Sequence, residues 1–181
     1  MKIISGSLKG RTIKNSNIDG TRPTMDRVKE SVFAIIQNYI QDSIVLDLFS
    51  GSGNLGFEAI SNGSKLCYFN DVNKECIKEI NKTIKCFNIE SNSIVLNKTW
   101  DLCLKYLKDS SIKLDIIFLD PPYKMECLNE VIDKIEEYEL LNNKGIIVCE
   151  VSKNYLKEFN NLEEIKNRKY GDKIVIIYRN K

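Results

Sequence analysis

The sequence predicts an α/β domain: a mostly parallel seven-stranded sheet with helices on both faces and a small β-hairpin before it. Three observations carry this. Five short apolar runs, at 44–49 (IVLDLF), 65–70 (KLCYFN), 93–96, 114–119 (LDIIFL) and 145–150, each give way to a segment of helical pattern. Strands that are apolar almost continuously are those covered on both faces, which is the habit of parallel sheets. A closing pair, 162–169 and 172–179, has no helix between its members and turns at Gly171, so it reads as antiparallel. The chain's 181 residues, 43% of them hydrophobic, suffice for one domain with a full core.

Taken in order, Lys2–Ile4 and Leu8–Lys14 read as the amino-terminal hairpin, turned by Gly6 and Ser7. Residues 1–24 are thus an extension and 25–181 the body. Thr24 or Asp26 would cap a helix running to about Tyr39, with Val28, Val32, Ile35 and Ile36 on its apolar face. Further helices are expected at 54–62, 73–87, 100–108, 126–138 and about 153–159, each after its strand. No internal repeat, low-complexity tract or long linker interrupts the alternation.

Composition narrows the chemistry. No apolar stretch reaches membrane-spanning length and the start lacks a signal-peptide pattern, so a cytoplasmic protein without a membrane partner is expected. The six cysteines are scattered with no C-x-x-C pair, and reduced core thiols are expected rather than a disulfide framework or a metal site. With no histidine at all, Ser-His-Asp and Cys-His nucleophile systems and the usual zinc hydrolase ligands are excluded. The net charge is only +2 but uneven: residues 1–31 carry seven Lys/Arg against three acids, and residues 153–181 eight against four. Basic ends around a more acidic middle suit contacts to phosphate.

The first strand runs into Ser50-Gly51-Ser52-Gly53-Asn54-Leu55-Gly56. Small residues there let backbone approach a ligand, and the helix that follows aims free N–H groups at it. About 20 residues past Gly51 the second strand ends in Asp71, where an acid can hold ribose hydroxyls. Gly51, Gly53 and Gly56 also satisfy G-x-G-x-x-G, so a nicotinamide dinucleotide competes with S-adenosylmethionine as the ligand. Asp47, four residues before the first glycine, and the lack of room for a second domain favour S-adenosylmethionine. Asp47, Phe49, Gly51, Gly53 and Asp71 are the candidate cofactor residues on this strand-and-loop unit.

Asp120-Pro121-Pro122-Tyr123 follows the fourth apolar strand. An acid, two prolines and an aromatic at the mouth of such a strand suit chemistry on an exocyclic amino group. The Asp120 carboxylate can accept one amine hydrogen, and the Pro121 carbonyl, on a stiffened backbone, a second. Tyr123 offers a stacking face for a flat base. Holding both hydrogens turns the nitrogen lone pair out of conjugation and towards an electrophile. These four are the candidate catalytic residues. Glycine loop, Asp71 and Asp120 all fall at carboxyl ends of strands, where such sheets bind ligands. Trp100, the only tryptophan, reads as core or cofactor-rim packing. Arg11, Arg22 and Arg27 are three of only five arginines, and their planar forks suit phosphate, so they are the candidate substrate-binding residues.

Asp47-Leu-Phe-Ser-Gly-Ser-Gly53, Asp120-Pro-Pro-Tyr123 and Arg22-Pro-Thr-Met-Asp-Arg-Val-Lys-Glu30 occur with similar spacing in one family. The chain resembles the bacterial small-subunit (16S) rRNA guanine-N2 methyltransferases of the RsmD type. Its opening Ile3–Arg11 and closing Lys169–Arg179 resemble that family's two ends. The resemblance implies a Rossmann-like S-adenosylmethionine-dependent methyltransferase fold and methyl transfer to N2 of one guanine in small-subunit rRNA, free or within a ribosomal particle, by a monomer. It also implies an acid near the third strand, which is Asp101 or is absent. The acid after the second strand is often Glu in the family and is Asp71 here, and the often arginine-rich stretch after D-P-P-Y is Lys124-Met125-Glu126. N6-adenine methylation of DNA or RNA, and a catalytically silent RNA-binding module, are the alternative readings.

Overall fold

The computed structural model describes residues 1–13, 23–122, 127–153 and 155–181. Its elements are α1 (Pro23–Ile40), β1 (Ile44–Asp47), α2 (Asn54–Ser61), β2 (Leu66–Asn70), α3 (Lys74–Phe87), β3 (Ser93–Leu96), α4 (Trp100–Asp109), β4 (Leu114–Leu119), α5 (Leu128–Glu137), β5 (Leu141–Val151), β6 (Leu162–Tyr170) and β7 (Lys173–Asn180). The strands form one sheet in the order β3-β2-β1-β4-β5-β7-β6. Pairings among the first five strands are parallel, whereas β7 runs antiparallel to β5 and to β6. The sheet is therefore mixed: the closing hairpin is folded into it, with β7 rather than β6 beside β5.

Alternation along the strands explains the apolar runs. Val45, Phe69, Phe118 and Val148 face one core cluster, with Val32 and Ile36 of α1, Phe57 of α2 and Ile80 of α3. Leu46, Ile117, Leu119 and Ile147 face the other, with Leu104 of α4 and Ile132 of α5. Successive strand residues point to opposite faces, and each face is roofed by helices, so neither can be polar.

Three expected elements differ. The amino-terminal hairpin is reduced to an isolated antiparallel bridge, Lys2 with Thr12, and residues 5–10 are bends and turns. Its backbone groups are claimed by α2 instead: Ser7 N–H donates to the Ser61 carbonyl at 2.7 Å, and the Ile4 and Ser5 N–H groups donate to Glu58 at 3.1 and 2.9 Å. Helix α1 begins at Pro23, a residue preorganised for a first helical position, so Thr24 and Asp26 lie inside it and neither caps it. No helix forms over 155–159. There the Asn129 side chain of α5 bonds the Tyr155 carbonyl at 3.2 Å and the Lys157 N–H at 3.0 Å, satisfying backbone that a helix would have paired internally. Buried Phe159 then packs edge-on against Tyr178.

The amino-terminal segment is stapled down by a buried ion pair. Lys29 of α1 lies 2.8 Å from Glu58 of α2, with both side chains almost wholly enclosed. Lys29 also donates to the Lys2 carbonyl at 2.8 Å and to Asn54 Oδ1 at 2.9 Å. Such a pair tolerates burial only when its remaining hydrogen-bonding capacity is filled, as here. The lysine of the R-P-T-x-D-R-V-K-E segment thus joins α1, α2 and the chain start. All six cysteines are free: Cys67, Cys103 and Cys149 are buried, while Cys76 and Cys127 are half-buried and Cys86 exposed, so only half are the core thiols expected. No helix of the described residues is long and apolar enough to cross a membrane.

Candidate functional site

A cavity of about 740 Å³ opens at the carboxyl ends of β1, β2 and β4, where the strand order switches direction between β2 and β4 on either side of β1. Asp47, Phe49, Gly51, Asp71, Asp101, Asp120, Pro121 and Pro122 all line it. Residues far apart in the chain meet here because parallel strands end side by side, as open α/β sheets require.

The glycine loop is built residue by residue. Strand β1 ends at Asp47, two residues sooner than the apolar run suggested, which frees Leu48 and Phe49 to begin the turn. Gly51 adopts φ +52° with open space where a Cβ would stand, so its bare backbone faces the cavity. Gly53 takes φ +78° as it leads into α2, and a Cβ on it would lie 2.7 Å from the Phe57 ring. Gly53 therefore shapes the loop from behind and does not line the cavity. Gly56 permits close helix–strand contact, since a Cβ there would lie 2.3 Å from the Phe69 ring.

Asp47 is buried, and its Oδ2 accepts the Gly56 N–H at 3.0 Å. Burial pushes its carboxyl up to about 7, the Gly56 hydrogen bond opposes this, and the charges of Asp120 and Asp71 add to the rise. Asp71 follows β2; its Oδ2 accepts the Gly51 N–H and its Oδ1 the Asn73 N–H, both at 2.8 Å. Asp101 sits in the first turn of α4, where a hydrogen bond from the Thr99 side chain is the main cause holding its carboxyl below the ordinary range. Half-buried Phe49 and Trp100, which also pack on the core, and exposed Val72 give this end of the cavity apolar walls between the acids.

At the end of β4, burial pushes the Asp120 carboxyl up, and the Lys173 ammonium pulls it back. Pro121 is buried and Pro122 exposed. Tyr123 lies outside the described residues, as does Arg22. Arg27 is exposed on α1 and not part of the cavity wall. Arg11 is also outside the cavity: it donates to the Cys86 carbonyl at 3.4 Å and stands 5.2 Å over the Phe87 ring, at the far end of α3.

Three residues at the site escaped the sequence reading. Asn70, buried at the end of β2, bonds the Leu48 and Lys98 carbonyls at 3.1 Å each and accepts the Lys98 N–H at 3.2 Å, tying three loops around the rim. A polar residue closing an apolar strand was its only signal. Glu150 of β5 and Lys173 of β7 form an ion pair that lines the cavity. Nothing in their spacing announces it, because the antiparallel pairing of β5 with β7 brings them together. Among the described residues no group of acids and cysteines is placed to hold a metal ion. The arrangement can accept hydrogen bonds from hydroxyl and amino groups along one acidic line while flat rings rest on its apolar walls.

Comparison with known proteins places this geometry in a lineage. The family described as Conserved hypothetical protein 95 matches residues 1–179. Ribosomal RNA small subunit methyltransferase D of Buchnera aphidicola, from the aphid Acyrthosiphon pisum, is 37% identical over 152 residues, covering 83% of this chain and 78% of that protein. Among solved structures, the Escherichia coli protein yhhF superposes with a TM-score of 0.88 at 26% identity, covering 100% of this chain and 98% of that one. A SAM-dependent methyltransferase from Agrobacterium tumefaciens, 18% identical with a TM-score of 0.61 over 75% of this chain and 47% of its own, shares the fold. With its sequence matched almost from end to end, the chain belongs to the Conserved hypothetical protein 95 family, that of ribosomal RNA small subunit methyltransferase D.

Proposed function

We propose that this protein is an enzyme that methylates the exocyclic N2 amino group of a guanine in small-subunit rRNA, using S-adenosylmethionine. The observation that carries the reading is that Asp120-Pro121-Pro122 and the segment from Asp47 to Ser52, far apart in the chain, line one cavity. A donor site and an amine site that share a wall can align two reactants, which removes much of the entropic barrier to a bimolecular step.

The residues present fit an adenosyl ligand. Asp71 would offer carboxylate oxygens to a ribose diol, Gly51 an unobstructed backbone, Phe49, Val72 and Trp100 flat or apolar contacts, and Asp101 a further acceptor. When bound, S-adenosylmethionine supplies an electrophilic methyl carbon on a sulfonium sulfur. The chain's own part is alignment. Asp120 and the Pro121 carbonyl take the two amine hydrogens, so that the lone pair leaves conjugation with the purine ring and points to the methyl carbon. Attack by the amine nitrogen on the donated methyl group would leave it one surplus proton, which would pass to water. Reaching N2 requires the guanine to leave its stack, and Tyr123 supplies the stacking face for the flipped base. Arg11 and Arg27, exposed outside the cavity, and Arg22 serve phosphate positioning, which fixes register without reading sequence.

Mass spectrometry of nucleosides from the rRNA of a deletion strain tests the proposal. One N2-methylguanosine in small-subunit rRNA should disappear and return on complementation. Retention of N2-methylguanosine at every site, or loss of N6-methyladenosine instead, would sink it.

A further inference from the structure

We infer that Lys173 and Glu150 are positioning residues for Asp120: ion-paired to each other on the wall of the cavity that Asp120 also lines, they keep its carboxylate charged and ready to accept hydrogen bonds from the substrate amine. The inference rests on the methyl-transfer reading of the cavity and adds to it the groups that make Asp120 competent.

Lys173 opens β7 directly after the Gly171 turn, a position where a lysine would ordinarily reach into water. Instead its side chain is 10% exposed, and that of its partner Glu150 is 15% exposed. The ion pair between Arg179 of the same strand and Glu163 of β6 shows the contrast, with side chains 38% and 53% exposed. A surface pair contributes little and can be replaced freely. A buried one must justify its desolvation by what surrounds it. What surrounds this pair is the cavity: Lys173, Glu150 and Asp120 all line it, and the Lys173 charge acts on Asp120.

Asp120 needs such a neighbour. Burial favours its neutral form, and Asp47 on β1 faces it with a second acid. Asp71 lies beyond Asp47, after β2. Of the other cations at the cavity wall, Lys29 of α1 is engaged by Glu58, the Met1 ammonium donates to the Ile13 carbonyl, and Lys98 stands over the Tyr106 ring. A protonated Asp120 would add an O–H donor facing an amine that is itself a donor, and would hold the amine hydrogen only through a neutral carbonyl oxygen, a weaker acceptor than the carboxylate. Lys173 offsets that tendency, and Glu150 fixes where its ammonium sits. Because the Lys173 charge acts on Asp120 while Glu150 pairs with it, the two members of the pair affect Asp120 in opposite directions. Removing the lysine charge favours the neutral form of Asp120, whereas neutralising Glu150 removes the negative charge that opposes the ammonium's effect on it.

Single-turnover methylation of the small-subunit rRNA substrate, measured across about pH 5.5 to 9, supplies one readout. Carbon-detected NMR titration of the Asp120 carboxyl in the ligand-free protein supplies the other. Lys173→Met should lower the rate near neutral pH roughly tenfold or more, the effect of one lost opposite charge close by. Its acidic limb and the Asp120 titration should both move to higher pH, and the rate should recover as pH rises. Lys173→Arg should keep the wild-type profile, and Glu150→Gln should move both readouts to lower pH. An Asp120 titration unchanged in Lys173→Met, or a rate loss in that variant that is equal at every pH and shared by Lys173→Arg, would overturn the inference. A wild-type protein that methylates no guanine in small-subunit rRNA would instead refute the functional reading, and the carboxyl titration would still decide the role of the pair.

Discussion

The Asp71 carboxylate accepts the backbone N–H of Gly51 at 2.8 Å, so the residue after β2 holds the glycine loop that follows β1. Its second oxygen accepts the Asn73 N–H, and Asn73 in turn caps α3 through the Glu75 N–H at 2.9 Å. One acid thereby links loop geometry, helix start and cavity rim. Asp71→Ala should weaken S-adenosylmethionine binding by about 1–3 kcal/mol, because hydroxyl donors and the Gly51 N–H both lose their acceptor. Asp71→Asn, which keeps an acceptor oxygen, should lose less. Calorimetry decides this; equal affinity for wild type and Asp71→Ala would remove the rim role, and tighter binding of NAD than of S-adenosylmethionine would overturn the cofactor.

Asp120→Ala should slow the methyl-transfer step by about two to three orders of magnitude, as losing one preorganised electrostatic partner does elsewhere. S-adenosylmethionine binding should persist. Tyr123→Phe should be mild because a stacking face remains, and Tyr123→Ala should cost about 1–3 kcal/mol of base affinity. Single-turnover rates on the small-subunit rRNA substrate separate these effects. An Asp120→Ala protein working at wild-type speed removes the proposed alignment.

Asp47 gives stability a pH dependence of defined sign. Its carboxyl titrates near 3.8 when unfolded and at about 7 when folded, so between those values the folded chain binds the extra proton. The stabilisation is full below the lower value, declines as pH rises and is gone above the upper one. Asp47→Asn keeps an acceptor for the Gly56 N–H and cannot ionise. In the ligand-free protein it should therefore gain stability over wild type on going from about pH 5 to pH 8, by no more than roughly 3 kcal/mol. Urea unfolding at the two pH values measures this, and a wild-type–mutant difference that does not change with pH would refute it.

Lys29 and Glu58 should behave as a unit. Lys29→Met leaves a buried carboxylate without its cation and should destabilise by about 3–5 kcal/mol. Adding Glu58→Gln should restore part of that loss, because the stranded charge disappears while the Ile4 and Ser5 N–H groups keep an acceptor. Thermal unfolding of the two single variants and the double variant gives the coupling energy. Purely additive losses would show that the pair is not a unit.

RNA binding should weaken steeply with salt, as phosphate contacts release counterions. Arg27→Glu on the exposed side of α1 should lower affinity and flatten the salt slope while leaving cofactor affinity unchanged. A salt slope identical to that of wild type would remove Arg27 from the interface.

How much of this protein was legible in its sequence depends on how local each feature is. The five parallel strands followed from their apolar runs, and the glycine loop and Asp120-Pro121-Pro122 from contiguous motifs, because a turn's geometry and a strand's burial are set by residues adjacent in the chain. That these segments line one cavity followed too, since parallel strands end together. Tertiary structure alone decided the rest. The amino-terminal hairpin gave way to a single bridge because Glu58 and Ser61 of α2 claimed its backbone. The helix expected near 155 gave way to a loop because Asn129 satisfied its peptide groups. Asn70, Glu150 and Lys173 became site residues only through their neighbours on other strands. Each depends on a hydrogen bond or ion pair between residues more than 20 positions apart. Local sequence pattern encodes burial and turn geometry, but the partner of a polar group is chosen by which strands and helices become adjacent.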